Sequence, residues 1–179
     1  MASSVKGFSL IEVLVALVIL VVGLVGIFNL HIVAKRGSFE SYQQTQASYY
    51  ANDMINRMRL NTSQLANYDN DSPFSGVPTA AGKDCNTEIC APNDMLAWDI
   101  YEWQSAFTGT AEIIGSKNLG GLDAPTACID VNGNDVLVVL VWRGIRETKI
   151  DTSNINDIAS KCAADTKNRR IFSMKTVII

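Results

Sequence analysis

The sequence predicts an α+β protein: one long N-terminal helix, apolar enough in its first half to span a membrane, packed against a C-terminal antiparallel sheet. Three observations carry that expectation. No proline occurs before Pro73, so nothing forbids a single helix from Ser9 to about Leu65. After Glu12 the next firmly charged residue is Lys35. The C-terminal third holds β-branched, alternating runs around an Asn132-Gly133 turn signal.

The helix comes first. About 57 residues at ~1.5 Å rise would reach roughly 85 Å. Its apolar run from Val13 to Phe28 and beyond is long enough for a bilayer core, which takes about 20 residues. Past Lys35 the pattern becomes amphipathic. Ala47, Tyr50, Met54, Met58 and Leu65 recur at helical spacing with an interruption at Asn61, and Gln43, Gln44, Asn52, Asn56 and Arg59 are expected on the opposite face. Gly23, Gly26 and Gly37 each weaken the helix by about 1 kcal/mol relative to alanine. Gly23 and Gly26 are spaced G-x-x-G, not the G-x-x-x-G of close helix dimers. Local flexibility, close helix approach and local unwinding all fit them.

Residues 67 to 92 read as a polar loop region. A second helix follows, with Asp94 as its cap and Leu96, Ile100, Trp103 and Phe107 on one face. Trp98, Tyr101 and Trp103 form an aromatic cluster, expected to be core rather than a ligand platform. Thr126–Val131 and the apolar run Val136–Trp142 should form a hairpin, and Arg170–Ile179 a last strand. Between them, residues 143–168 are long and polar and hold Cys162.

Enzymatic chemistry finds little to work with. The single histidine, His31, closes the apolar run and reads as an interfacial residue. No Ser-His-Asp constellation and no phosphate-binding glycine loop is present. Asp130-Val131-Asn132-Gly133-Asn134-Asp135 offers alternating oxygen ligands, but its glycine comes too early for a calcium loop and no glutamate closes it. A solvated turn explains it better. We therefore expect no enzyme, no cofactor, no metal and no small-molecule substrate. A net charge of −3 and a pI near 5.1 disfavour DNA as a partner, and Lys167, Arg169 and Arg170 read as a solvated edge.

The glutamate in the apolar run needs a reason, because a carboxylate in a membrane segment is costly without a partner. Gly7-Phe8-Ser9-Leu10-Ile11-Glu12-Val13-Leu14-Val15-Ala16-Leu17, after a short leader containing Lys6, resembles the N-terminus of type IV pilins and pseudopilins. The resemblance implies cleavage by a prepilin peptidase between Gly7 and Phe8, methylation of Phe8, and pairing of Glu12 with the N-terminal amine of a neighbouring subunit. It also implies the pilin-like form of the α+β fold. A secretory signal peptide fits less well: its apolar region would be shorter and would end at a small-x-small site. A plain single-span anchor explains the length but neither Glu12 nor the Gly7-Phe8 junction. Many pilins carry a proline early in this helix, and this chain has none.

Charge alone leaves orientation open, since Lys6 flanks one side and Lys35 and Arg36 the other. The resemblance places the helix in the inner membrane and the head in the periplasm, before incorporation into a pilus at the cell surface. In that compartment the four cysteines read as disulfides. Three connectivities are open. We favour Cys85–Cys90, closing a small loop, with Cys128–Cys162 closing a long one and tying down the 143–168 segment. A zinc site is the weaker alternative, because the cysteines lack the close paired spacing of common zinc modules.

Residues 51–61, Ala-Asn-Asp-Met-Ile-Asn-Arg-Met-Arg-Leu-Asn, together with the Trp98-Asp99 and Val141-Trp142 pairs, resemble PilV-type minor pilins of Gram-negative bacteria. This implies a low-abundance subunit that helps initiate pilus assembly, with a place at the tip left open. Its partners would be other minor pilins, the major pilin, the prepilin peptidase/methyltransferase and a large tip adhesin. The expected organisation is a leader over 1–7, a membrane and assembly segment over 8–34, an amphipathic helix over 35–66, and a head over 67–179. A type II secretion pseudopilin, a competence-type DNA-binding pilin and a membrane-anchored adhesin stay open as alternatives.

Overall fold

A computed structural model describes residues 7–70, 72–115, 117–118, 120–148, 161–163 and 167–179. The chain divides into two compact units, one ending at Phe39 and one spanning Glu40–Ile179. Helix α1, Leu10–Leu60, contributes to both. From Val13 to Phe28 it is apolar all round, and the side chains of Leu10–Ala34 are exposed. By length and composition α1 is able to cross a membrane. Gly23, Gly26 and Gly37 all remain helical.

Within the second unit α1 buries a stripe: Gln43, Ala47, Tyr50, Ala51, Met54, Ile55 and Met58. These positions follow the 3.6-residue period. Gln43 belongs to this stripe, not to the opposite face expected for it. Its amide is kept inside by hydrogen bonds: Nε2 donates to the Gly121 carbonyl at 3.4 Å and Oε1 accepts from the Asp123 N–H at 3.0 Å. A buried amide costs little once its partners are in place. The α-helix ends at Leu60, earlier than expected. Thr62–Tyr68 continues as a 3₁₀ helix, and through it Leu65 still reaches the core.

Helix α2 spans Pro92–Thr108. Asp94 is not its cap. Ala91 holds that position, Pro92 opens the first turn, and Asp94 reaches back to accept from the Ala91 N–H at 3.4 Å. The helix stops at Gly109, φ 75°, where a Cβ would run into the Gly120 carbonyl. Trp103 and Phe107 are fully buried, and Leu96 and Ile100 pack against the same core from its margin. The expected aromatic cluster divides: Trp103 is core, whereas Trp98 and Tyr101 lie half-buried on another face.

The main sheet has four antiparallel strands in the order β1 (Phe74–Ser75), β4 (Thr126–Asn132), β5 (Asp135–Arg143) and β6 (Arg169–Val177). The two-residue strands β2 (Ile113–Ile114) and β3 (Lys117–Asn118) form a separate pair. In the β4–β5 hairpin Asn132 faces Asp135, so Gly133-Asn134 is the turn, with Gly133 at φ 60°. The turn is centred one residue later than an Asn-Gly loop, and glycine takes the first central position. Strand β5 is buried from Val136 to Trp142 on both faces. Val136, Val138, Leu140 and Trp142 face α1 and α2, while Leu137, Val139 and Val141 face Cys128, Cys162 and Ala163. Strand β6 ends at Val177, two residues short of the expected end. Much of the expected 143–168 segment lies outside the described residues.

Candidate functional site

The residues singled out for processing and assembly sit at the start of α1. Gly7, Phe8 and Ser9 precede the helix, and the Phe8 ring is 85% exposed. The Ser9 carbonyl accepts from the N–H groups of Glu12 and Val13, which fixes the first turn. Glu12 lies in that turn, exposed, where a carboxylate also favours the positive end of the helix dipole. Among the described residues its side chain has no hydrogen bond and no ion pair. The geometry therefore offers an accessible Gly7-Phe8 junction and, one helical turn on, a carboxylate free to take a cationic partner.

The four cysteines form two bonds. Cys85 joins Cys90, with Cα atoms 5.6 Å apart, in the loop before α2. Cys128 joins Cys162, with Cα atoms 5.8 Å apart, and this bond is buried. Thr126 Oγ1 also donates to the Cys162 carbonyl at 3.0 Å, so the short Cys162–Ala163 stretch is held to β4 by two attachments.

Sequence reasoning missed a polar knot at the end of α1. Arg57 pairs with Asp53 at 3.0 Å, with Asp99 at 3.2 Å and with Glu102 at 2.9 Å. Burial opposes its charge, but the Glu102 hydrogen bond and the attraction of Asp53 outweigh it and hold the pKa above the usual arginine value. Tyr68 donates to Asp99 at 2.6 Å, and Asn61 donates to the Pro92 carbonyl at 2.8 Å. Burial first, then the Asp99 bond, pushes the Tyr68 phenol above its ordinary value. Together these groups fasten α1, the 3₁₀ helix and α2. The only advance signal was Arg57 lying four residues after Asp53, a spacing common to solvated helix pairs.

A second knot lies at Glu40, where the unit begins. Its carboxylate accepts from Arg170 Nη2 at 3.0 and 3.2 Å and from the Arg146 N–H at 3.1 Å. Burial pulls its pKa up, but these donors win and hold it below the ordinary value. Among the described residues no cluster of metal-ligating side chains occurs.

Two family models match the chain. The prokaryotic N-terminal methylation motif matches residues 2–28, and the Tt1218-like family, described as type IV pilin Tt1218, matches residues 30–101. No curated protein and no solved structure matches it. The second match runs from residue 30 of α1 through the 3₁₀ helix, the Cys85–Cys90 loop and most of α2, so it takes in the Arg57 knot except Glu102. Strands β4 to β6 lie beyond both matches. A long apolar N-terminal helix, an antiparallel sheet and disulfides complete a pilin-like α+β fold. The two matches and this fold agree: the chain is similar to type IV pilins over residues 30–101 and carries a match to the prokaryotic N-terminal methylation motif over residues 2–28.

Proposed function

We propose that the chain is a PilV-type minor pilin, a structural subunit that helps initiate type IV pilus assembly and has a place near the tip. One observation carries the reading: an exposed Glu12, its side chain unpartnered, in the first turn of an apolar helix that begins two residues after Phe8. In this reading residues 1–7 are a leader removed by the prepilin peptidase and Phe8 is then methylated. Residues 8–34 hold the subunit in the inner membrane, 35–66 carry the amphipathic helix, and 67–179 form a periplasmic head. A carboxylate in a low-dielectric surrounding gains strongly from a neighbour's N-terminal amine. Glu12 would draw other minor pilins and the major pilin into register in this way. A tip adhesin is a further partner in this reading. The subunit's part is structural, as is that of the pilin family.

The test is complementation of a deletion strain at equal protein level. Glu12→Gln should insert normally but give few surface pili and weak co-purification with other pilins, with Glu12→Asp between it and the parent. Mass spectrometry of the same preparations should find an N-terminal methylated Phe8. Wild-type pilus counts with Glu12→Gln would remove the pairing role. Normal pili but lost protein secretion in the deletion strain would favour a secretion pseudopilin.

A further inference from the structure

Helix α2 carries a second stripe besides its buried face. Trp98, Tyr101, Glu102 and Ser105 recur at i, i+3, i+4 and i+7, so the helical period puts them on one side. This side runs along a surface groove of about 630 Å³, within the size range of small-ligand sites. The Trp98 and Tyr101 rings are half-buried there, 5.6 Å apart between centroids and tilted by 41°.

The charged groups of the lining are Arg57 and Glu102, and they answer each other. Arg57 Nη1 donates to the Glu102 carboxylate at 2.9 Å, and Asn86 Nδ2 donates to the same carboxylate at 3.2 Å. The groove therefore makes no demand for a charged occupant. Its neutral polar groups are in a different state. Ser105 is only 8% exposed, yet among the described residues its hydroxyl has no hydrogen bond. A serine inside a helix ordinarily turns its hydroxyl to solvent or back to the carbonyl one turn earlier. Trp98 Nε1, the Tyr101 hydroxyl and the side-chain carbonyls of Asn86 and Asn118 also have no protein partner among the described residues. An apolar side chain seated in the groove would cover these groups unsatisfied, at a cost for each.

A sugar ring fits both halves of the lining. Its C–H face is complementary to the negative face of an aromatic ring, and each of its hydroxyls donates and accepts. We propose that the groove is a binding site for a neutral pyranose, stacked on the Trp98–Tyr101 pair with its hydroxyls bonded to Ser105 and the two asparagines. This inference does not rest on the minor-pilin reading.

The test uses the full chain in dodecylphosphocholine, a detergent without a sugar headgroup. Saturation-transfer NMR is run with the methyl pyranosides of glucose, galactose, mannose and N-acetylglucosamine. At least one should bind with a Kd of about 5 mM. Open-chain sorbitol, which has the hydroxyls without the ring face, should not bind. Ser105→Ala should weaken the pyranoside about threefold to tenfold, the worth of one hydrogen bond. Its melting temperature should not fall, because that hydroxyl holds nothing within the protein. Trp98→Ala should abolish binding, and Trp98→Phe, which keeps a ring, should retain part of it. If Trp98→Ala folds poorly, Ser105→Ala and Trp98→Phe decide the result. No binding of any pyranoside at about 50 mM, ten times the expected Kd, would overturn the proposal. So would sorbitol binding as well as the pyranosides, full affinity in Ser105→Ala, or N-acetyl-leucinamide binding more tightly than any of the sugars.

Discussion

The two faces of strand β5 are both buried, and they are buried by different means. Val138 and Val139 are neighbours in the same strand, each fully shielded from solvent. Val138 faces a thick cover: α1 and α2 bring Met54, Met58, Trp103 and Phe107 against it as one cluster. Trp103 is fixed there by its Nε1 donating to the Tyr50 carbonyl at 2.8 Å and by an edge-to-face contact with Phe107 at 4.8 Å. Val139 faces a thin cover, in which Cys162 and Ala163 are held by the Cys128 bond and the Thr126 hydroxyl. One face is closed by many dispersed apolar contacts and the other by a covalent staple. The first should tolerate chemical insult to any one member, and the second should depend on oxidation.

The largest effect follows from the staple. Replacing Cys128 and Cys162 together by serine should cost the head about 3–4 kcal/mol, the chain-entropy value for a loop of this length. Urea denaturation would give the figure, and hydrogen exchange should show Val139 and Val141 losing protection before Val138 and Leu140. Equal loss on both faces would contradict the division. Next come matched truncations. Val138→Ala should cost about 2.5 kcal/mol, because a cavity in a thick core stays open. Val139→Ala should cost about 1.5 kcal/mol, because a thin cover can settle onto the gap. Equal values from denaturation would mean that the second cover is as rigid as the first.

A serine pair at Cys85 and Cys90 should cost less than the Cys128–Cys162 pair, about 2 kcal/mol or less, since the loop it closes is short. That loss should leave both faces of β5 equally protected. The smallest effect concerns pH. Glu40 has its pKa lowered in the folded state, so its contribution is present above the ordinary glutamate range near pH ~4.3 and fades as pH falls through the folded value. Glu40→Gln should therefore flatten the acid side of the melting-temperature profile below the ordinary glutamate range. A profile parallel to the parent's would assign the acid loss to other carboxylates.

Sequence periodicity made the main elements of the head legible. Met54 and Met58, or Trp103 and Phe107, can only share a face if their segments are helical, and Val136–Trp142 has the composition of a strand covered twice. Periodicity also contained the correction to the aromatic cluster. Leu96, Ile100, Trp103 and Phe107 define the buried face of α2, and neither Trp98 nor Tyr101 falls on it. Residue type misled where spacing did not. Gln43 was misplaced for the same reason, as an amide joins a core when the loop at Gly121–Asp123 supplies its partners, and that contact is 80 residues away in sequence. The strand pairs at Phe74–Ser75 and Ile113–Ile114 are too short to show any period. At the N-terminus Gly7-Phe8 and Glu12 stood out through resemblance alone, because all three are exposed and this chain's own core gives them no role. The Arg57 knot was not legible, because three of its members come together only after α2 docks.

The burial of α1 also sets an order on synthesis. The stripe from Gln43 to Met58 leaves the ribosome long before β4 and β5, which supply much of its cover, and β6 closes the sheet last. Until the chain has grown past Trp142 the stripe lacks its sheet partner, and non-local strand pairing is slow to form. A nascent chain must therefore carry Tyr50, Met54 and Met58 without their sheet partner while nearly half its length is added, a window in which a membrane surface or a chaperone can hold it. Chains stalled before Thr126 should be cut readily within α1 by added protease, and chains carried past Ile178 should resist.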